Sequence, residues 1–208
     1  MGDVEEHAAG GLHGANRLGG NSLGEALISG RRAGDAAAAF ALEGEVFGRS
    51  RRAINEGLDD LDALTRPGAE LARPLQRRLR DVMWERCGVV RDENGLREGL
   101  RELEALRATA ADVDVRPGAE GWTDLAHALD LRAGLAVAEA TLRGAIARRE
   151  TRGAHNRTDF PDLDPALQVN FYVDARMDLW SESVPGVPDE LREWTERPVE
   201  LGADRLLE

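Results

Sequence analysis

The sequence predicts a mainly α-helical protein: a glycine-rich loop leading into a helix, then an antiparallel helical bundle, then a small C-terminal β-hairpin and tail. Three observations carry this. Leucines recur at three- and four-residue spacing through most of residues 50–150, the period of one buried helix face. The turn signals Thr65-Arg66-Pro67-Gly68 and Arg116-Pro117-Gly118 interrupt that pattern. Only near the end, where Val169, Phe171 and Val173 alternate with Asn170 and Tyr172, does the period become that of a strand.

The first element is announced by residues 10–27, GGLHGANRLGGNSLGEAL. Ser22 with Glu25 reads as a capping box, the serine hydroxyl accepting from the Glu25 N–H and the glutamate reaching back to the Ser22 N–H. A helix is therefore predicted from Ser22 to about Gly48, containing the alanine run Ala36–Ala39. Its unpaired N–H groups and positive dipole end favour an electron-rich partner. Gly19 and Gly20 allow close approach of backbone or ligand, and Arg17 carries a planar fork of donors suited to a carboxylate or phosphate. By spacing alone the same residues equally make a glycine-rich turn capping a surface helix, with Arg17 in solvent.

Four amphipathic stripes follow: Ile54, Leu58, Leu61 and Leu64; Leu71, Leu75, Leu79, Val82 and Met83, with Pro74 in the first turn; Leu96, Leu100, Leu103 and Leu106; and Trp122 through Leu125, Leu129, Leu135, Leu142 and Ile146. Short loops between them predict the antiparallel bundle. Beyond Pro161, Val169–Val173 and a segment within Arg176–Ser183 are expected to pair as a hairpin, with a short helix around Glu190–Glu196 in a docking tail.

Composition narrows the function. All 27 basic residues are arginine, against 39 acids, for a net charge of −12. That balance argues against nucleic acid, whose recognition requires a basic face. No apolar run is long enough for a transmembrane helix, and no secretory leader is recognisable. The single cysteine, Cys87, forms no internal disulfide and fits a reducing cytoplasm. With no CxxC or HExxH pattern, no metal site is expected.

The eleven residues from His13 to Leu23, HGANRLGGNSL, resemble the signature of the flavoprotein subunit of succinate dehydrogenase and fumarate reductase. L-aspartate oxidase is similar, but typically carries Ala-Ser where Gly19-Gly20 stand. Two later segments add to the resemblance: Met83-Trp84-Glu85-Arg86-Cys87-Gly88-Val89-Val90-Arg91 followed by Leu96, and Arg149-Glu150-Thr151-Arg152-Gly153-Ala154-His155-Asn156-Arg157-Thr158-Asp159-Phe160-Pro161, in which Thr151 replaces the commoner serine.

The resemblance implies roles. The arginine matching Arg17 binds a carboxylate of a C4 dicarboxylate, succinate or fumarate, and Ser22 and Leu23 lie against the isoalloxazine of FAD. A Gly-Asp or Gly-Glu pair contacting the ribityl or ribose is matched by Gly2-Asp3, although counting back by fixed spacing selects Glu6 instead. His13 is expected to shape the turn. No GxGxxG occurs, so the family's pyrophosphate cradle cannot be assigned, nor can its flavin-tethering histidine, second substrate histidine or arginine proton donor. The chain is expected to be the C-terminal third of such an enzyme, with an FAD-binding remnant at 1–48, a bundle domain at 49–158 and an extension at 159–208. The implied partners are an N-terminal FAD-binding region and an iron–sulfur subunit. The implied location is cytoplasmic, at the membrane face through partner subunits. The competing reading is a non-catalytic helical interaction module without flavin. Cys87 and His155 are expected to be structural, the first buried or inert, the second hydrogen-bonded at the interface with the flavin domain. His127 is expected to be packing or surface.

Overall fold

A computed structural model describes residues 21–44, 48, 50–116, 118 and 122–196. In chain order the elements are α1 (Asn21–Glu43), α2 (Arg51–Leu64), α3 (Ala72–Cys87), β1 (Val90–Arg91), α4 (Glu93–Ala110), α5 (Trp122–Ala147), β2 (Asn156–Arg157), a 3-10 turn (Pro165–Leu167), β3 (Val169–Val173), β4 (Leu179–Ser183) and α6 (Asp189–Glu196). The fold class matches the prediction: mostly helix, one C-terminal hairpin and a terminal helix.

The core lies between α3, α4 and α5. On α3, Leu75, Leu79 and Val82 are buried at the predicted spacing, with Ala72 buried where Leu71 was expected and Leu71 itself 61% exposed. On α4 the stripe is Leu96, Gly99, Leu103 and Leu106, and on α5 it includes Leu131, Leu135, Ala138 and Leu142. Each fully buried leucine contributes about 1.5–3 kcal/mol of transfer free energy. Helix α4 starts sharply because Asp92, its N-cap, accepts from the Gly95 N–H at 2.8 Å.

Cross-helix pairs give the directions. Arg78 and Arg86 both reach Glu102 at 2.8 Å, while a Cβ built at Gly99 would lie 2.9 Å from the Arg86 Cβ and 3.0 Å from the Leu142 Cδ2. Arg107, further along α4, pairs with Glu139, earlier on α5. Helix α4 is thus antiparallel to both neighbours. Gln76 donates to the His127 carbonyl and Leu79 lies against Gly134, so α3 and α5 run parallel. Glycine at 99 is what lets three helices approach so closely at that level.

The structure departs from the predicted stripes at Trp122 and Leu129 of α5, which are 70% and 43% exposed, and throughout α2. The helix forms, but none of its residues is buried: Ile54 is 47% exposed, Leu58 54% and Leu61 40%. Leu64 alone joins a small satellite cluster with Val115, Leu125 and Ala128. The bundle core is therefore built from three of the four stripes, because amphipathic spacing defines an apolar face without supplying a surface to cover it. Helix α1 begins at Asn21, one residue ahead of the Ser22–Glu25 box, and ends at Glu43 rather than near Gly48.

Beyond α5 the chain folds back. Strand β2 pairs in parallel with β1, Val90 opposite Asn156 and Arg91 opposite Arg157. The hairpin β3–β4 is antiparallel, with Val169 opposite Ser183 and Val173 opposite Leu179, and Tyr172 stacks on Trp180 at 5.5 Å between ring centroids. Its turn is closed by the Asp174 carboxylate, which accepts from the N–H groups of Arg176 and Asp178.

Candidate functional site

The densest polar cluster among the described residues lies where the segment after α5 crosses β1 and β3. Four arginines fall between positions 148 and 157, and the fold gives most of them buried partners. Arg157, carried on β2, is 1% exposed. Its Nε and Nη2 bind the two Asp159 oxygens at 2.7 and 2.8 Å, its Nη2 also binds Glu93 at 3.0 Å, and its Nη1 donates to the carbonyls of Ala145 at 2.8 Å and Arg148 at 3.4 Å. All five guanidinium N–H groups are engaged, and Phe160 covers one face at 5.0 Å. Arg157 is thus a rivet joining the end of α5, the start of α4 and β2.

A second knot is centred on Glu150, which is fully buried. Its carboxylate accepts from Arg148, from Arg152 at 2.7 and 3.0 Å, and from the Asp164 N–H at 2.9 Å. Burial opposes ionisation here, but the hydrogen bonds from Arg152, the Asp164 N–H and Arg148 outweigh it and pull the carboxyl down to about 2. Arg148 also donates to the carbonyls of Leu167 and Val169 and lies over Phe171 at 4.8 Å, which fastens the hairpin to the bundle. Hydrogen bonding from Arg157 likewise holds Asp159 well below the usual carboxylate range.

His155 lies between the knots. Arg91 Nη1 is 2.8 Å from its Nδ1, and its Nε2 is 3.0 Å from the Arg148 carbonyl. Since a guanidinium can only donate, Nδ1 must accept and Nε2–H must donate to the carbonyl, a neutral imidazole. Burial lowers its pKa, the Arg148 carbonyl opposes that, and the charges of Arg91, Arg157 and Arg148 lower it further. With both nitrogens occupied, His155 serves as a structural link. Both hydrogen bonds are made within this chain, whereas the expected one lay at the interface with the flavin domain. Cys87 is buried, and burial pushes its thiol up against the opposing effect of Arg91, which disfavours the thiolate. His127 is half-buried on α5.

Of the residues assigned to ligands, Arg17 and Asp3, with His13 and Glu6, lie outside the described residues. Ser22 and Leu23 fall in the first turn of α1. Ser22 is half-buried and Leu23 is 69% exposed. That turn holds no acidic residue of its own. A flavin's electron-rich edge is compatible with such a tip.

Glu93, Glu150 and Asp159 were not singled out from the sequence. The available signal was the crowding of arginine around the histidine of the third motif; the acid that answers Arg157 from Glu93 is 64 residues away in the chain. Among the described residues there is no cluster of His, Cys, Asp or Glu able to hold a metal, and no helix long and apolar enough to cross a membrane.

Comparison with known proteins agrees with this architecture. The family model described as the C-terminal part of fumarate reductase flavoprotein matches residues 76–183, the bundle core, both knots and the hairpin. The chain is 32% identical over 175 residues to a fumarate reductase (CoM/CoB) subunit of Methanothermobacter marburgensis, covering 82% of this chain and 31% of that protein. It is 35% identical over 167 residues to the fumarate reductase flavoprotein subunit of Haemophilus influenzae, covering 77% of this chain and 28% of that one. The Sdh1 structure of Mycobacterium smegmatis superposes with a TM-score of 0.79 at 30% identity, over 90% of this chain and 33% of the solved one. The chain thus spans about a third of the length of its relatives. Fold, motif order and sequence similarity agree: the chain belongs to the fumarate reductase flavoprotein C-terminal family.

Proposed function

We propose that this chain is the C-terminal portion of an FAD-dependent oxidoreductase interconverting succinate and fumarate, and that it contributes the dicarboxylate grip and one wall of the flavin site. Arg17 holds a substrate carboxylate in its bidentate fork and so orients the two methylene carbons. The N–H groups of Ser22 and Leu23, at the tip of α1, hydrogen-bond the electron-rich pyrimidine edge and stabilise the negative charge that develops there. Asp3, or Glu6, accepts from a hydroxyl of the ribityl or ribose. When bound, FAD supplies the hydride acceptor. Its dinucleotide cradle is contributed by an N-terminal FAD-binding region, and electrons pass to an iron–sulfur subunit in a complex at the cytoplasmic face of the membrane.

The observation that carries this reading is the uninterrupted HGANRLGGNSL run entering α1 without an acid in the first turn. The rest of α1 supports it. Leu27 is 67% exposed, Ile28 63%, Phe40 54% and Leu42 88%, with only Ala33 buried, an apolar helix suited to packing against a flavin-binding domain. Gly19-Gly20 favour the succinate and fumarate enzymes over L-aspartate oxidase.

The test joins this chain to the N-terminal FAD-binding region of a relative. Bound yellow flavin and fumarate turnover are expected. Arg17→Lys should lower turnover by about two orders of magnitude with flavin retained, because a point charge cannot replace a planar fork. Unchanged kinetics would remove Arg17 from its role. A colourless assembly that takes up no FAD would favour the helical interaction module.

A further inference from the structure

Helix α3 has an outer face that neither the bundle nor the arginine knots use. Its inner side is filled by Ala72, Leu75, Leu79 and Val82, and Arg78 and Arg86 are drawn to Glu102 on α4. Arg73, Arg77, Arg80 and Trp84 recur at intervals of four, three and four residues, which places them within about 60° of one another around the helix. The three arginines are exposed and make no ion pair or hydrogen bond among the described residues, and Trp84 is 80% exposed. The neighbouring acids on the helix, Asp81 and Glu85, do not pair with them either. Three of these residues border a shallow concavity of about 350 Å³, closed on the α5 side by His127 and along α3 by Gln76.

In a chain of net charge −12, where most arginines on the bundle have a carboxylate partner, three uncompensated guanidinium groups beside a bare indole form a local reversal of sign. Arginine and tryptophan dominate the energetics of protein interfaces when they cluster. We propose that this face of α3 docks an acidic segment of a partner protein, with carboxylates spaced along the roughly 16 Å between Arg73 and Trp84 and an apolar or aromatic side chain against the indole. Charge complementarity selects a carboxylate-rich peptide over a polyphosphate: the protein's overall negative potential opposes the long-range field of nucleic acid, whereas a short acidic segment meets only the arginine face.

The experiment uses the full chain and a fluorescein-labelled octaglutamate peptide ending in tryptophan, read by anisotropy. An octaglutamine peptide of the same design, a thymidine oligonucleotide and phosphatidylserine vesicles serve as competitors. The acidic peptide should bind, weaken steeply as salt is raised, and lose affinity by about tenfold or more when Arg73, Arg77 and Arg80 are changed together to Glu. Arg73→Gln, Arg77→Gln and Arg80→Gln combined should show an intermediate loss, and Arg51→Glu on α2 none. Trp84→Ala should weaken binding of the tryptophan-ended peptide more than that of plain octaglutamate. Circular dichroism and thermal melts of the variants, whose altered residues are all exposed, should overlay the parent. No binding of the acidic peptide, equal losses in the Arg51→Glu control, or tighter binding of the oligonucleotide or vesicles would overturn the proposal.

Discussion

The segment 148–164 and the helices α1 and α2 solve the problem of a polar, arginine-rich sequence in opposite ways. The first puts its charges inside and gives its buried ones partners: Arg157 and Glu150 are 1% and 0% exposed, yet fully hydrogen-bonded. The second keeps its charges outside and leaves its apolar residues uncovered, with nothing buried on α2 and only Ala33 on α1. The contrast shows where the chain is self-sufficient. Buried charge is stable only as a complete network, so segment 148–164 specifies one arrangement of α4, α5 and the hairpin. An apolar helix face without cover specifies nothing until another surface meets it.

That contrast is easiest to break at Arg157. Replacing it by Ala leaves Asp159 without its cation and Glu93 with Arg97 alone, and should cost about 3–5 kcal/mol, measured as the loss of midpoint in urea unfolding. If the loss is below about 1 kcal/mol, the network is decoration. Next comes a paired substitution: Leu142→Ala, at a site with 0% exposure, should cost about 2–5 kcal/mol, while Leu58→Ser on α2 should stay within about 0.5 kcal/mol in the isolated chain. Comparable losses at the two would show that α2 is covered after all.

Acid should sharpen the comparison further. Glu150 has its carboxyl drawn from 4.5 to about 2 in the folded protein. The unfolded chain therefore takes up this proton first, so the stability that Glu150 contributes is present above its unfolded value and is lost as pH falls from about 4.5 towards 2. Glu150→Gln, though less stable at neutral pH, should show a shallower decline across that window. The smallest effect belongs to His155, whose folded value is lowered from 6.5. Its contribution is complete above its unfolded value and fades as pH falls through the lowered folded one. The parent should lose stability on acidification below about 6.5, and His155→Gln should flatten that part of the profile. An unchanged slope would mean that the Arg91 contact does not hold the imidazole neutral.

How much of this was legible beforehand differs from element to element. The buried leucines of α3, α4 and α5 were readable because a helix must repeat its buried residues every three or four positions, and the hairpin because a half-buried strand must alternate. Cys87 was legible as a buried thiol and His155 as a hydrogen-bonding residue. The partners of His155 were not: Arg91 lies 64 residues earlier in the chain. Glu150 looked like any other acid among 39, and only the meeting of α5, the 3-10 turn and β3 makes it the centre of a knot. The stripe of α2, Ile54 to Leu64, was readable as a helix and misleading as core.

The sequence by itself determined the local elements, the order of the motifs and the family to which they point, since helix periodicity, turn chemistry and an eleven-residue run from His13 to Leu23 are properties of neighbours in the chain. Tertiary structure alone decided which apolar faces are covered, which arginines are spent on internal carboxylates and which, on the outer face of α3, are left unpaired. Those outcomes depend on distances between residues far apart in sequence, and an ion pair or a buried face exists only when the fold brings both halves to within a few ångströms.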